Sequence, residues 1–244
     1  SRALLFQDLK KKDHQMMQSE KLAALGEMAA SFVHEIRNPL GVILGSAETL
    51  NKKVSQSVRS EMLQFIREEG ERINRMLTNF LDFAKPKPPA FREVDLKDIL
   101  QKTVELISMP ARERKVRILQ EYPKEKVLMF VDPEQVREAL VNLELNALEA
   151  MPLGGQMTIA LTENEGQGVV IRVSDTGVGL PPGVESKIFD PFFTTKERGT
   201  GLGLSIAYRV AKNHGGTISA VSNDGGGTTF ILTLPLRKGM LGCF

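Results

Sequence analysis

The chain has 244 residues, 32 basic against 30 acidic side chains, an apolar share of 41%, one cysteine and no tryptophan. That much apolar material excludes a disordered chain and suffices for one or two packed domains. The near-even charge, without a basic stripe interleaved with aromatics, excludes a nucleic-acid surface. A single thiol, Cys243, excludes an internal disulfide or a cysteine metal cluster. No apolar run approaches the roughly 18 residues of a spanning helix, and no signal peptide is evident. The expectation is a soluble, cytoplasmic stretch without membrane contact, from a protein whose full length can still be membrane-anchored.

Residues 1–14 open on SRALLFQDL, which fits the last strand of an upstream sensor domain and a signalling linker, or equally an unstructured end. From about Lys11 the pattern is helical. Leu22, Leu25, Ala29, Phe32 and Ile36 recur at helical spacing, and the register predicts Leu40 and Ile43 as its continuation. Inside this stretch lies HEIRNPL, residues 34–40. It is either a surface histidine near a proline kink or a reactive imidazole held out to solvent. At about 100° per residue, Phe32 and Ile36 each stand about 200° from His34, so the imidazole points away from the seam.

A loop is predicted over 51–57, then a second helix through Met62, Phe65, Ile66, Ile73, Met76, Leu77, Phe80 and Leu81. Two such helices form an antiparallel hairpin. One hairpin covers little of its apolar face, and a dimer would complete a four-helix bundle. The domain boundaries follow: 15–84 for the hairpin, 85–91 for a proline-rich hinge, 92–236 for a mixed domain and 237–244 for a tail.

In the mixed domain the patterns predict a helix over 95–107 and strands over 116–121 and 127–131. Asp132–Pro133 then opens a helix to about Met151 as N-cap and first helical residue. Strands at 156–162 and 168–174, an irregular stretch over 175–203, a helix over 202–213 and strands at 217–222 and 228–235 complete an α+β layer. Asn142 and Asn146 share one helix face. Their amides are either a solvated polar face or a hydrogen-bonding and metal-facing pair, since amide oxygens suit Mg2+. Three glycine-rich stretches stand out: Asp175–Gly179, Gly199–Gly203 and Gly225–Thr228. The second runs into a helix, where free N–H groups suit phosphates, but neither the P-loop nor the dinucleotide spacing fits.

In order, HEIRNPL, NLELNALEA, DTGVG, FDPFF, GTGLGLSI and GGGTTF resemble the catalytic core of a bacterial two-component sensor histidine kinase, over residues 15–236. HEIRNPL with FFTTK is most similar to the nitrogen-regulation type. The resemblance implies a helical-hairpin dimerisation and phosphotransfer domain followed by an α/β-sandwich ATP-binding domain of the gyrase, chaperone and histidine-kinase type. His34 would be the phospho-acceptor and Glu35 its acidic partner. Asn38 would orient a water for phosphatase action. Arg37 would steady a phosphate or pair with an acid of the second helix. Asn146 would hold Mg2+, with Asn142 near the phosphates. Asp175 would accept from the adenine amino group, Gly177 and Gly179 would admit the base, and Thr228 would help through a water. Gly199, Thr200, Gly201, Leu202 and Gly203 would line the triphosphate of ATP under a lid over 183–200. Phe189 and Phe192 would anchor that lid or fill the core. Lys196 would reach the γ-phosphate or remain a mobile surface lysine. His214 would belong to the helix end. The implied partners are a second copy and a response-regulator receiver domain. Two departures from the family pattern appear: Glu149 and Ala150 stand where a basic residue is common, and Glu144 stands where apolar residues are. Glu144 is expected off the nucleotide face, toward solvent or the hairpin.

Overall fold

The computed structural model describes residues 33, 35–84, 88–164, 166–185, 187–191, 193–196 and 201–236. His34, Gly199, Thr200, Phe192, Arg198, Cys243 and the segment 1–32 lie outside the described residues. The chain divides into two compact units, Ser1–Pro86 and Lys87–Phe244. No helix among the described residues is long and apolar enough to cross a membrane.

In the first unit a helix, α1, runs through residues 35–50, and α2 spans Gln56–Ala84. The Arg72 guanidinium acts electrostatically on Glu35. The two residues lie at nearly equal distances along the chain from the connecting loop, as an antiparallel hairpin requires. The seam differs from its predicted continuation in one place. Pro39 is buried while Leu40 is 44% exposed. The inward row is therefore Ile36, Pro39, Ile43, Ser46 and Leu50, buried or half-buried at spacings of 3, 4, 3 and 4. Val42, Leu44, Leu63 and Leu77 remain exposed on the lone hairpin.

The second unit holds β1 (Arg92–Asp95), α3 (Leu96–Glu113), β2 (Val116–Glu121), β3 (Leu128–Val131), α4 (Pro133–Ala150), β4 (Gly155–Asn164), β5 (Gly168–Asp175), α5 (Gly203–Asn213), β6 (Thr217–Ser222) and β7 (Thr228–Pro235). Strands β1 and β3 form a small antiparallel pair, and the main sheet runs β2-β4-β5-β7-β6. Only β2 and β4 run parallel, so the sheet is mixed. Register aligns apolar rows across it. Leu161, Ile171, Leu232 and Ile218 form one row, and Ile159, Val173 and Phe230 the next. All are buried and join buried residues of α3, α4 and α5 in a single core. Each such side chain stabilises the fold by about 1.5–3 kcal/mol before entropy is counted.

Two departures from expectation have local causes. Strand β1 was not anticipated, because REVD is short and polar; its pairing with β3 is a matter of backbone, not side-chain pattern. Helix α3 continues past residue 107 through Pro110. The bond Pro110 cannot donate would have gone to Leu106, which is exposed, so water can serve that carbonyl. Asp95 caps α3 by accepting from Lys97 N–H (3.1 Å) and also takes Val127 N–H (3.2 Å).

Candidate nucleotide site and phospho-acceptor helix

Helix α4 carries the centre of the site. Its N-cap, Asp132, accepts from Glu134 and Gln135 N–H through Oδ1 (2.9 and 3.1 Å). Oδ2 accepts from Ala90 N–H at 2.7 Å, and the Asp132 N–H donates to His214 Nε2 at 3.0 Å. With Nε2 accepting, the proton sits on Nδ1 and is donated to Val210 O, 2.8 Å away. His214 is thus a buried tie between the end of α5 and the start of α4, as its place at the helix end suggested.

Asn142 and Asn146 lie half-buried on one face of α4, with Leu143, Ala147 and Leu148 turned into the core. Asn142 Nδ2 donates back to Glu138 O at 2.8 Å, which leaves Oδ1 facing the start of α5. A Cβ on Gly203 would come within 2.9 Å of that oxygen, so Gly203 permits the approach. Helix α5 begins after Gly201 (φ +62°) and buried Leu202 without a side-chain cap. The N–H groups of its first turn therefore suit an anion. From the other side Lys196 Nζ donates to Asn146 Oδ1 at 2.6 Å and Glu149 Oε2 at 2.7 Å. The expected phosphate contact and the expected metal ligand are thus neighbours. Asn146 Oδ1 already gathers a cation, which fits Mg2+ chemistry. Among the described residues no cluster of three acidic, histidine or cysteine side chains could hold a metal alone.

Asp175 ends β5 at the opposite end of the site. Its Oδ1 accepts from Gly177 N–H (2.8 Å) and Thr228 N–H (3.3 Å). Oδ2 is buried and has no partner among the described atoms. Burial pushes this carboxyl above its ordinary range, against the pull of the two N–H groups and Lys196. A buried acceptor without a donor is the complement of an amino group on a flat base. The glycines shape the same end. A Cβ on Gly177 would meet Ala150 O at 2.4 Å, so this glycine lets the loop close against the end of α4. Gly179 adopts φ +75°.

Two residues here had no expected role, although Gly227 lies in the glycine run of GGGTTF. Gly227, at φ +92°, passes so close to Asp175 O that a Cβ would lie 2.0 Å away. Asn223 donates to Asp175 O (3.0 Å) and accepts from Thr229 Oγ1 (2.7 Å), pinning the β6–β7 turn. Its one legible signal is an asparagine before a glycine run.

Glu144 corrects an expectation. It faces neither solvent nor the hairpin but is fully buried in the unit's own core, where Oε1 accepts from Thr103 Oγ1 of α3 at 2.7 Å. Burial raises its pKa to about 7, with the Thr103 bond pulling the other way. Its Oε2 and the Tyr122 hydroxyl are both buried without partners among the described atoms. Burial, and then the charge of Glu144, raise the Tyr122 pKa. Phe189 and Phe193 pack against the core, and Phe189 tilts against Tyr208, so the core-filling reading holds for Phe189.

In the first unit Asn38 and Arg37 are exposed and Glu35 is half-buried. Burial raises the Glu35 pKa, and Arg72 opposes it.

Comparison with known proteins agrees with this arrangement. The family "His Kinase A (phospho-acceptor) domain" matches residues 24–89, and "Histidine kinase-, DNA gyrase B-, and HSP90-like ATPase" matches 131–238. Sensor histidine kinase ZraS of Escherichia coli (strain K12) is 36% identical over 97% of this chain and 50% of its own length. AtoS of the same organism is 34% identical over 96% of this chain and 39% of its own length. The chain therefore spans about half or less of these curated relatives. Among solved structures, the catalytic domain of histidine kinase ThkA is 31% identical, with a TM-score of 0.56, over 60% of this chain and 97% of that one. ThkA in complex with the response regulator protein TrrA is 28% identical, with a TM-score of 0.82, over 93% of this chain and 66% of that one. With a phospho-acceptor hairpin in its first unit and the ATPase fold in its second, the chain belongs to the bacterial two-component sensor histidine kinases.

Proposed function

We propose that this chain binds Mg·ATP in its second unit, phosphorylates its own His34, and passes the phosphoryl group to an aspartate of a response-regulator receiver domain. The observation that carries the reading is Asp175 Oδ2, a buried acceptor without a donor among the described atoms, at one end of a site whose other end gathers Asn142, Asn146, Lys196 and the start of α5.

Asp175 takes the adenine amino group, with Thr228 beside it, and so selects adenine. The N–H groups at the start of α5, after Gly201 and Leu202, and the Lys196 ammonium face the phosphates. Asn146 would hold Mg2+, which would supply neutralisation of charge on the phosphate oxygens. Asn142 is an amide and a poor base, which disfavours activation of water and spares ATP for transfer. A ring nitrogen of His34 forms a bond to the γ-phosphorus while the bond to the bridging oxygen breaks and ADP leaves. Glu35 receives the proton of the other ring nitrogen; its raised pKa suits that part. The finer reading adds phosphatase action on the regulator, with Asn38 orienting the water. Exposed Leu44 and Leu63 support a homodimer. The hinge at 85–91 lets the second unit reach the histidine, as a gated step.

The test is incubation with Mg2+ and γ-labelled ATP, beside His34→Gln. Acid-labile, alkali-stable label on the parent and none on the variant is expected. Phosphate release without protein labelling, unchanged in His34→Gln, would instead make the chain an ATPase. Asn38→Ala is expected to lose phosphatase activity and keep labelling; full retention would remove that role.

A further inference from the structure

The contact between Lys196 and Glu149 has no place in the roles assigned so far. Glu149 lies three residues beyond Asn146, one turn along α4, so their oxygens project from one face. Between them sits a single ammonium, 2.7 Å from Glu149 Oε2 and 2.6 Å from Asn146 Oδ1. Lys196 reaches there from a short turn secured by its own N–H donating to Thr194 Oγ1 (3.1 Å) and by Phe193 against the core. Its ammonium thus rests on the oxygen that would hold the metal.

We infer that Glu149 is a positioning residue that sets nucleotide affinity: it keeps the Lys196 ammonium while the site is empty and surrenders it to the terminal phosphate when ATP enters. The inference rests on reading this site as an ATP site. Two cations cannot share one face of Asn146 Oδ1 at bonding distance. A divalent ion arriving with the nucleotide must displace the ammonium, and the nearest new anion is the phosphate chain. Glu149 is left without its partner, with its own negative charge turned toward the phosphates. Both changes oppose binding, so Glu149 weakens ATP affinity. They also favour release of ADP. Once the terminal phosphoryl group has left, the ammonium returns to Glu149, which stays on α4 throughout.

The experiment is equilibrium titration of the whole chain with ATP, ADP and adenosine, in Mg2+ and in EDTA. The proteins are the parent, Glu149→Gln, Lys196→Met and the double variant. An ion pair this exposed corresponds to a change of about three- to fivefold. Glu149→Gln is expected to tighten ATP by that factor, ADP by less, and adenosine not at all. In the Lys196→Met background the gain should shrink. Weaker ATP binding by Glu149→Gln would overturn the inference, because Glu149 would then be steadying Lys196 in the bound state. An undiminished gain in the Lys196→Met background would also overturn it, since bare repulsion would explain that result. An equal change for adenosine would overturn it as well, as an effect on the fold. Failure of the parent to bind ATP would remove the ATP reading and the inference together; ATP binding indifferent to Glu149 removes the inference alone.

Discussion

Glu144 is an acid set among hydrocarbons. Its pKa, raised by burial to about 7, means that the folded unit holds a proton more tightly than the unfolded chain does. The stability this contributes is full below the unfolded value near 4.5 and is lost as pH rises through about 7. Its size is on the order of 3 kcal/mol. Glu144→Gln keeps an acceptor for Thr103 and removes the titration. Melting temperature measured between pH 5 and 8.5 should fall with pH in the parent and flatten in the variant. Asp175→Asn tests the other acid. The amide oxygen can still accept from Gly177 and Thr228, but Oδ2 becomes a donor facing the adenine amino group. ATP affinity should drop at least tenfold with little change in melting temperature, read by titration and thermal denaturation. Asn142 and Asn146 stand out in the sequence because asparagine is a poor choice for a helix interior, whereas the role expected of Asp175 comes from the resemblance carried by DTGVG. Glu144 was misjudged because helical angle says which way a side chain turns and not what packs there. The phosphate contact expected of Lys196 follows from the resemblance alone, and its pairing with Glu149 joins residues 47 apart, which no local pattern encodes.

Strands β2, β6 and β7 begin and end where their patterns predict, and in β7 the period-two alternation of burial records the face that meets the core. The seam of α1 takes Pro39 in place of Leu40, with the proline ring turned inward as a core residue. Tight closures between elements left weaker traces. Gly227→Ala would drive a Cβ to 2.0 Å from Asp175 O at φ +92°, so the β6–β7 turn must shift. Nucleotide binding should be lost while circular dichroism stays near that of the parent. His214→Ala removes the acceptor of Asp132 N–H and the donor to Val210 O, both buried. A loss of roughly 1–3 kcal/mol is expected, measured by denaturant titration.

At the scale of the molecule, composition and motif order made two domains legible, and the structure divides into two units. The hairpin alone leaves Leu44 and Leu63 more than half exposed, at 56% and 54%. Leu44→Glu with Leu63→Glu should convert a dimer to a monomer in sedimentation while ATP binding by the second unit persists. A lasting dimer would place the interface elsewhere. The hydrogen bond from Ala90 to Asp132 has a mechanical meaning. It moors the chain to the head of α4 before the first strand begins. Residue 90 is thereby fastened to the helix that carries both asparagines.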